Sequence, residues 1–294
     1  MKTIPITVLA DEGPMLRAYL SVMRREGLRL EAILLMVHSR HTTTKSPLGR
    51  HLSIPLRRWY CERYQEAAFN FWPRRLSKTD PVLVDAVAGQ LEEFLERPDE
   101  LIREMLGRFR YDDYAPRVDR VVVGGLGDPS LERAIKSLAP KLVLYTGSGI
   151  VPPSLISCPD IRFIHVHAGH LPHVRGADGI LWSTLVRGRP GASCFFMGEA
   201  LDRGPVLRAQ DYPAPTFKIP GVRPDDQTLY RALYSYYDPL LRADLLRQVV
   251  QANTDVSNSP TVSQDPSAEI TYNFMHDAVR RKALSQLFQK ESSS

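Results

Sequence analysis

The stretch of sequence that decides the fold reads FIHVHAGHLPHVRGADGILWS at residues 163–183 and closes with EALDRGPVL at residues 199–207. It begins as a short apolar strand in which His165 and His167 stand two residues apart. Because side chains alternate between the two faces of a strand, both imidazoles are predicted to point to the same side. Glycines and a proline follow at once, and they turn the chain over the end of the strand.

A carboxylate reaches the same place further along the chain. A predicted helix at residues 177–186 and a predicted strand at residues 193–197 separate the histidines from Asp202. Asp202 stands in the sequence Leu-Asp-Arg-Gly, just before another apolar run. Two histidines and a carboxylate that meet at the end of a sheet predict a proton-transfer site.

The segments around this stretch alternate between strands and helices. Strands are predicted at residues 4–10, 30–37, 118–125 and 141–145. A helix connects the first two, and strands joined by helical crossovers form parallel sheets. Asp11 and Glu12 follow the first strand where a dinucleotide-binding protein carries glycines, so a nicotinamide dinucleotide is not expected. The predicted fold class is α/β, with a Rossmann-like, mostly parallel sheet.

A helical insertion is predicted at about residues 45–116. Its helices are expected at residues 56–72 and 80–109, the second broken by Pro98. An aromatic cluster in the insertion is interpreted as core packing, with a lid over an acceptor as the alternative. Its members are Trp59, Tyr60, Tyr64, Phe69, Phe71 and Trp72.

The C-terminal part is predicted to be helical. A long helix is expected at residues 225–252, an exposed polar linker at residues 253–268 and a last helix at residues 274–289. The chain is therefore divided into a main domain at residues 1–224, which contains the insertion, and a small helical extension at residues 225–294.

Composition limits the class of protein and its partners. The chain has 294 residues, of which 43% are hydrophobic, as is ordinary for a globular protein. Its formal net charge of +5 favours an anionic ligand. No basic run is interleaved with aromatic residues, so a nucleic-acid partner is not expected. No apolar run is long enough to span a membrane, and no signal peptide is evident. Three unpatterned cysteines favour a cytoplasmic location.

The sequence HVHAGHLPHVRG at residues 165–176, followed by LDRG at residues 201–204, resembles the catalytic core of the folate-dependent formyltransferases. That family includes glycinamide ribonucleotide, methionyl-tRNA and amino-sugar formyltransferases. Its motif reads roughly Asn-x-His-x-Ser-Leu-Leu-Pro-x-x-Arg-Gly, with Asp-x-Gly about three dozen residues later. The resemblance covers residues 118–210. At one catalytic position it departs, because His165 stands where the family has asparagine.

The resemblance implies an N-formyltransferase that moves the formyl group of 10-formyltetrahydrofolate to an amine or hydroxylamine of a small molecule. His167 would act as the base, and Asp202 would orient it and support its positive charge. His165 would replace the asparagine as the hydrogen-bond donor to the oxyanion, because a neutral imidazole can donate one hydrogen bond. The acceptor would be an amino sugar or an intermediate of specialised metabolism.

The resemblance also implies ligand contacts. Acceptor contacts are predicted for Arg175 and Asp178, although Arg175 can instead anchor the turn and Asp178 can be a first-turn acid of a helix. Acceptor contacts are also expected from residues 39–116 and from the C-terminal helices. Folate contacts are predicted for Tyr145, Gly147, Gly149, Ile150, Leu171, Pro172, Glu199 and Leu201.

Two alternatives follow from the same residues. The exchange at His165 can mark an inactive, ligand-binding relative. The four histidines of residues 165–173, completed by Asp178 or Asp202, can instead form the metal site of a hydrolase. No metal is predicted in the leading interpretation, and a homodimer is left open because the aromatic cluster or the last helix can form an interface.

Overall fold

In the computed structural model, which describes residues 1–147 and 149–290, a seven-stranded sheet crosses the molecule in the order β3-β2-β1-β4-β5-β7-β8. The first five strands in this order are parallel, and β7 and β8 are antiparallel to their neighbours. The strands are β1 (Lys2–Ala10), β2 (Leu28–His38), β3 (Val118–Val123), β4 (Leu142–Tyr145), β5 (Arg162–His167), β6 (Arg175–Gly176), β7 (Gly191–Phe196), β8 (Val206–Asp211), β9 (Phe217–Ile219), β10 (Thr271–Tyr272) and β11 (Phe288–Lys290). The predicted fold class is confirmed.

Helices cover both faces of this sheet, and alternate residues of its inner strand β1 enter two different cores. Ile6 and Val8 of β1 pack on one face, and Leu9 packs on the other. Strands buried on both faces are typical of parallel sheets. The helices are α1 (Pro14–Arg25), α2 (Ile54–Phe69), α3 (Phe71–Thr79), α4 (Pro81–Leu91), α5 (Pro98–Leu106), α6 (Pro129–Leu138), α7 (Pro153–Ile156), α8 (Gly179–Arg187), α9 (Asp226–Ala232), α10 (Asp238–Ala252) and α11 (Asp277–Leu287).

The insertion differs from its prediction in two respects. Four short helices, α2 to α5, occupy it instead of two, since Asn70, Asp80 and residues 92–97 interrupt the helical run. The interpretation of the aromatic cluster as core packing is wrong for most of its members. Exposure is 60% for Trp59 and 49% for Phe71, and Tyr60 and Phe69 are also exposed.

The C-terminal part packs against the sheet through α10, whereas α11 packs against α8 and α9. The predicted long helix forms, but a π-helical turn at Leu233–Tyr237 interrupts it just before Pro239. Proline lacks an N–H and clashes with the preceding turn, which accounts for a break at this position. The segment at residues 253–268, predicted as an exposed linker, is largely exposed but forms a bridge between Val262 and Val206. Beyond it, β10 pairs with β6.

The helix α10 packs against α1 and against β5, β7 and β8, so the C-terminal helices share one core with the sheet. A division into two folding units at residue 224 stays a prediction. None of the helices in the described ranges is long and apolar enough to cross a membrane.

Candidate active site

A cavity of about 630 Å³ opens at the carboxyl ends of β4 and β5. His165, His167 and Asp202 all line it, so the structure brings the two imidazoles and the carboxylate together. Ligands commonly bind at the carboxyl ends of strands in open parallel sheets. The cavity is therefore the candidate active site.

His167 is held by the turn that follows its strand. Its Nε2 lies 3.0 Å from the backbone oxygen of Val174. A carbonyl oxygen can only accept, so Nε2 carries the hydrogen and Nδ1 carries the lone pair of the neutral ring. Nδ1 lies 3.7 Å from Oδ2 of Asp202. A side chain at Gly169 would collide with this arrangement, because its Cβ would lie 2.7 Å from Nε2 of His167 and 2.5 Å from the oxygen of Val174.

Asp202 is fixed by hydrogen bonds to its carboxylate and to its backbone oxygen. Its Oδ2 accepts a 3.0 Å hydrogen bond from the N–H of Gly176. The side chain of Gln264 donates to the backbone oxygens of Asp202 and Gly204 at 2.9 and 2.7 Å. The segment predicted as a linker thus holds the carboxylate against His167.

His165 does not fit the predicted role of oxyanion donor. Its Nδ1 lies 3.0 Å from the backbone oxygen of Tyr145, so the single N–H of the neutral ring is already donated. Burial, and secondly the positive charge of Arg242, lower the pKa of His165 to about 4. At neutral pH its Nε2 is therefore a lone pair, which accepts hydrogen bonds and cannot donate one.

The sequence reading missed a cationic donor, Arg242, which lines the same cavity from α10. Its Nε and Nη2 contact the carboxylate of Asp238 at 3.0 and 2.9 Å, and its Nη1 donates to the backbone oxygen of Val166 at 3.2 Å. These contacts use three of the five N–H groups of a guanidinium. Burial and this charge lower the pKa of His167, whereas Asp202 acts in the opposite direction.

Six of the eight predicted folate contacts line the cavity. Leu171 and Pro172 do not line it. Leu171 instead packs with Phe195 and Val206 in a small hydrophobic cluster. Ile150 and Leu201 are 69% and 52% exposed at the mouth, where an apolar ligand would cover them. The residues found are Tyr145, Gly147, Gly149, Ile150, Glu199 and Leu201.

The glycine turn after β4 fits a flat heterocycle such as a pterin. A Cβ at Gly147 would lie 2.8 Å from Oη of Tyr145, so the turn is narrow here, and Gly149 has a φ of +100°. Ile150, Ile156 and Met197 add apolar surface to the same wall. Ser148, which belongs to the predicted turn, lies outside the described residues.

The two predicted acceptor contacts have structural partners. Arg175 is 1% exposed, is paired with Glu269 and donates to Oε1 of Gln264 at 2.7 Å. It does not line the cavity, so the anchoring alternative fits and the acceptor contact does not. Asp178 lines the cavity, but its carboxylate accepts hydrogen bonds from three protein groups. These are the hydroxyls of Tyr230 and Tyr234 and the N–H of Met275, at 2.7, 3.0 and 2.8 Å.

The four histidines do not form one cluster. His170 lies outside the cavity lining with Nδ1 2.9 Å from Oδ1 of Asp211, and its ring packs near His173. Over residues 1–147 and 149–290, no three His, Cys, Asp or Glu side chains are grouped as a metal site would require. The hydrolase alternative therefore gains no support from the geometry.

Residues 39–116 were expected to contribute acceptor contacts, but none of them, all of which the structure describes, lines the cavity. The C-terminal part was rightly expected to do so. Its individual contacts have no family motif in the sequence, so the spacing of residues could not predict them. They are Tyr230, Tyr234, Arg242, Thr271, Tyr272, Asn273 and Phe274.

Comparison with known proteins supports the resemblance at the level of sequence. Methionyl-tRNA formyltransferase of Syntrophus aciditrophicus is 33% identical over 131 residues, which cover 44% of this chain and 40% of that protein. Methionyl-tRNA formyltransferase of Syntrophomonas wolfei is 28% identical over 160 residues, covering 51% and 45%. The resemblance to the formyltransferases is confirmed, and the chain spans less than half the length of these relatives. No protein-family model matches it.

Two solved structures align with most of this chain at low sequence identity. A sugar N-formyltransferase from a Shewanella species aligns with 98% of this chain and 88% of its own at 11% identity, with a TM-score of 0.48. A 4-N formyltransferase from Francisella tularensis aligns over 93% and 76% at 11% identity, with a TM-score of 0.46.

Proposed function

We propose that the protein is an N-formyltransferase that moves the formyl group of 10-formyltetrahydrofolate to an amine or hydroxylamine of a small molecule. The observation that carries this proposal is the pair formed by His167 and Asp202. They come from the two halves of the formyltransferase motif, and their side chains lie 3.7 Å apart in one cavity. In the transfer, a bond forms between the acceptor nitrogen and the formyl carbon, the bond from that carbon to N10 breaks, and the acceptor proton ends on N10.

His167 is the base in this proposal. Its Nδ1 has a lone pair in the neutral ring, because Nε2–H is donated to the backbone of Val174. Burial lowers the pKa of His167, so the ring is neutral and ready to take a proton at pH 7. The cation that results lies beside Asp202, whose negative charge stabilises it.

Arg242 takes the oxyanion role that was expected of His165. It is the cation among the lining residues that the structure describes, and it keeps N–H groups on Nη1 and Nη2 beyond those used by Asp238 and Val166. A fixed positive donor in a partly buried site stabilises developing negative charge strongly. His165 then serves by accepting a hydrogen bond at Nε2.

The turn after β4 would hold the folate, which supplies the activated formyl group when bound. Gly147 and Gly149 would present backbone groups to the edge of the pterin, and Ile150 and Leu201 would cover its faces. Apolar walls with a few polar backbone groups are typical of sites for flat heterocycles.

The experiment that tests this proposal is a formyl-transfer assay with a panel of amines, in which products are detected by mass spectrometry. The wild-type protein is expected to formylate at least one amine in a folate-dependent manner, which would exclude the inactive alternative. His167→Ala is expected to lower the rate by about 100-fold or more. His173→Ala is the matched control, since it removes an imidazole of the same segment that lies outside the cavity lining.

Equal rates in the wild-type protein and His167→Ala would contradict the proposal. Stoichiometric zinc or iron in protein purified without added metal, together with no formylated product, would favour the hydrolase alternative instead.

A further inference from the structure

One part of the cavity wall is aromatic and comes from the C-terminal third of the chain. Tyr230 and Tyr234 reach it from α9 and the π-helical turn, Tyr272 reaches it from β10, and Phe274 lies two residues after that strand. Pairing of β10 with β6 places the latter two residues beside the turn that holds the catalytic groups. This wall lies outside the formyltransferase motif.

The aromatic side chains offer their ring surfaces to a ligand, because the hydroxyls of two of them are already hydrogen-bonded within the protein. The hydroxyls of Tyr230 and Tyr234 are both used by Asp178. Tyr272 stacks on Trp182 with the ring centroids 4.6 Å apart, and the indole N–H of Trp182 is donated to the backbone of Asn273. Phe274 is 82% exposed at the mouth. An apolar or aromatic body would cover this surface, and burying it would favour binding.

The charged side chains that line the cavity do not favour binding of a phosphate group. Asp178, Glu199 and Asp202 contribute carboxylates, and Arg242 is the cation among the described lining residues. Its guanidinium is paired with Asp238, and the two N–H groups that remain are those proposed to stabilise the oxyanion. Phosphate and diphosphate groups are normally bound by free arginine or lysine side chains, which form charge-assisted hydrogen bonds. An acidic wall attracts an ammonium group instead.

A second arginine near the wall does not change this balance. The guanidinium of Arg280 lies over the ring of Tyr230, 5.1 Å from its centroid, on α11. It is paired with Asp277 at 2.7 Å and does not line the cavity.

We propose that the acceptor is an amine or hydroxylamine carried on an apolar or aromatic body without phosphate, and that Tyr272 and Phe274 bind that body. This inference rests on the proposed function and selects among its acceptors. A nucleotide-linked amino sugar is excluded by it, because a diphosphate entering the cavity would meet carboxylates without a free cation.

The test is a calorimetric titration of the full-length protein saturated with a stable formyl-tetrahydrofolate analogue. The two probes are tyramine, an aromatic amine, and a uridine-diphosphate-linked 4-amino sugar. Tyramine is expected to bind with a Kd of about 1 mM or tighter, and the nucleotide sugar is expected to give no heat of binding up to about 10 mM. Tighter binding of the nucleotide sugar, or no binding of tyramine, overturns the inference.

Variants locate the binding surface. Phe274→Ala is expected to weaken tyramine binding by about threefold to tenfold, because one aromatic contact is lost. Phe71→Ala is the matched control, since Phe71 is 49% exposed on α3 and lies outside the cavity lining. Tyr272→Phe is expected to bind tyramine as the wild type does, and Tyr272→Ala is expected to bind it more weakly. Equal affinity in all four variants overturns the assignment of the wall.

The first stage of the same titration separates the two proposals. If the folate analogue itself does not bind, the proposed function fails. If it binds and the nucleotide sugar is then preferred over tyramine, the acceptor class alone is wrong.

Discussion

Nδ1 of His165 lies 3.0 Å from the backbone oxygen of Tyr145. The single N–H of the neutral ring is therefore donated in a hydrogen bond that connects the ends of β5 and β4. In the neutral ring, the other nitrogen can only accept. The N–H of His165 is therefore used within the sheet, and Arg242 is the cation among the lining residues that the structure describes.

His165 is expected to make stability depend on pH. Its pKa is about 4 in the folded protein, below the ordinary value of 6.5, chiefly because of burial. Between these values the unfolded chain binds a proton that the folded chain does not, so stability falls as pH falls from 6.5 to 4. His165→Asn should remove up to about 1.4 kcal/mol per pH unit of this dependence. Denaturant unfolding of both proteins at several pH values measures it, and parallel curves would count against the buried neutral ring.

Removing the buried ion pair is expected to affect both rate and pH dependence. The double variant Arg242→Met, Asp238→Asn avoids leaving one buried charge without its partner, which would cost about 3–5 kcal/mol. Turnover should fall by about 100-fold or more because the oxyanion loses its cation. The acidic limb of the pH–rate profile should move slightly to higher pH, since Arg242, which lowers the pKa of His167, acts on it more strongly than Asp238, which raises it.

Arg242→Lys is the matched control for that variant, because it retains a positive charge. It should leave the acidic limb close to its wild-type position. An unchanged turnover in the double variant would show that another group stabilises the oxyanion.

Asp202→Asn is expected to move the acidic limb in the opposite direction. The carboxylate raises the pKa of His167, so its replacement by an amide should lower that pKa further. Turnover should fall by about 100-fold to 10,000-fold because the imidazolium loses its partner. The pH dependence of kcat and kcat/KM measures both effects. A shift of the limb to higher pH would be inconsistent with Asp202 acting on His167.

Gly147→Ala is expected to weaken binding of the folate without changing the fold elsewhere. The added Cβ would lie 2.8 Å from Oη of Tyr145, so the ring must move within the cavity wall. Gly125→Ala is the matched control, since a Cβ there meets no atom within 4 Å. Affinity for a folate analogue should fall about tenfold in the first variant only. Equal affinities would place the pterin away from this turn.

Much of the sheet could be predicted from sequence because its strands are apolar runs bounded by turn residues. The two histidines could be placed on one face because strand side chains alternate, and Asp202 could be added because its spacing matched a known motif. Local patterns of this kind determine which elements form and which side chains share a face.

Contacts made by distant parts of the chain could not be predicted in this way. Arg242 is 75 residues or more from His165 and His167, and nothing near it in sequence marks it as more than a helical arginine. Gln264 belongs to a segment whose polar composition predicts an exposed linker, and Tyr272 lies just beyond that segment. The exposed aromatic residues of α2 and α3 were misassigned because aromatic content alone does not determine burial.

Calorimetric titration of the metal-free, wild-type protein with a stable 10-formyltetrahydrofolate analogue tests the central claim most directly. Binding with a Kd of about 10 μM or tighter is expected, and Ile150→Asp should weaken it because a charge would enter the apolar mouth of the cavity. Absence of binding at millimolar analogue by protein that is folded would contradict a folate-dependent formyltransferase.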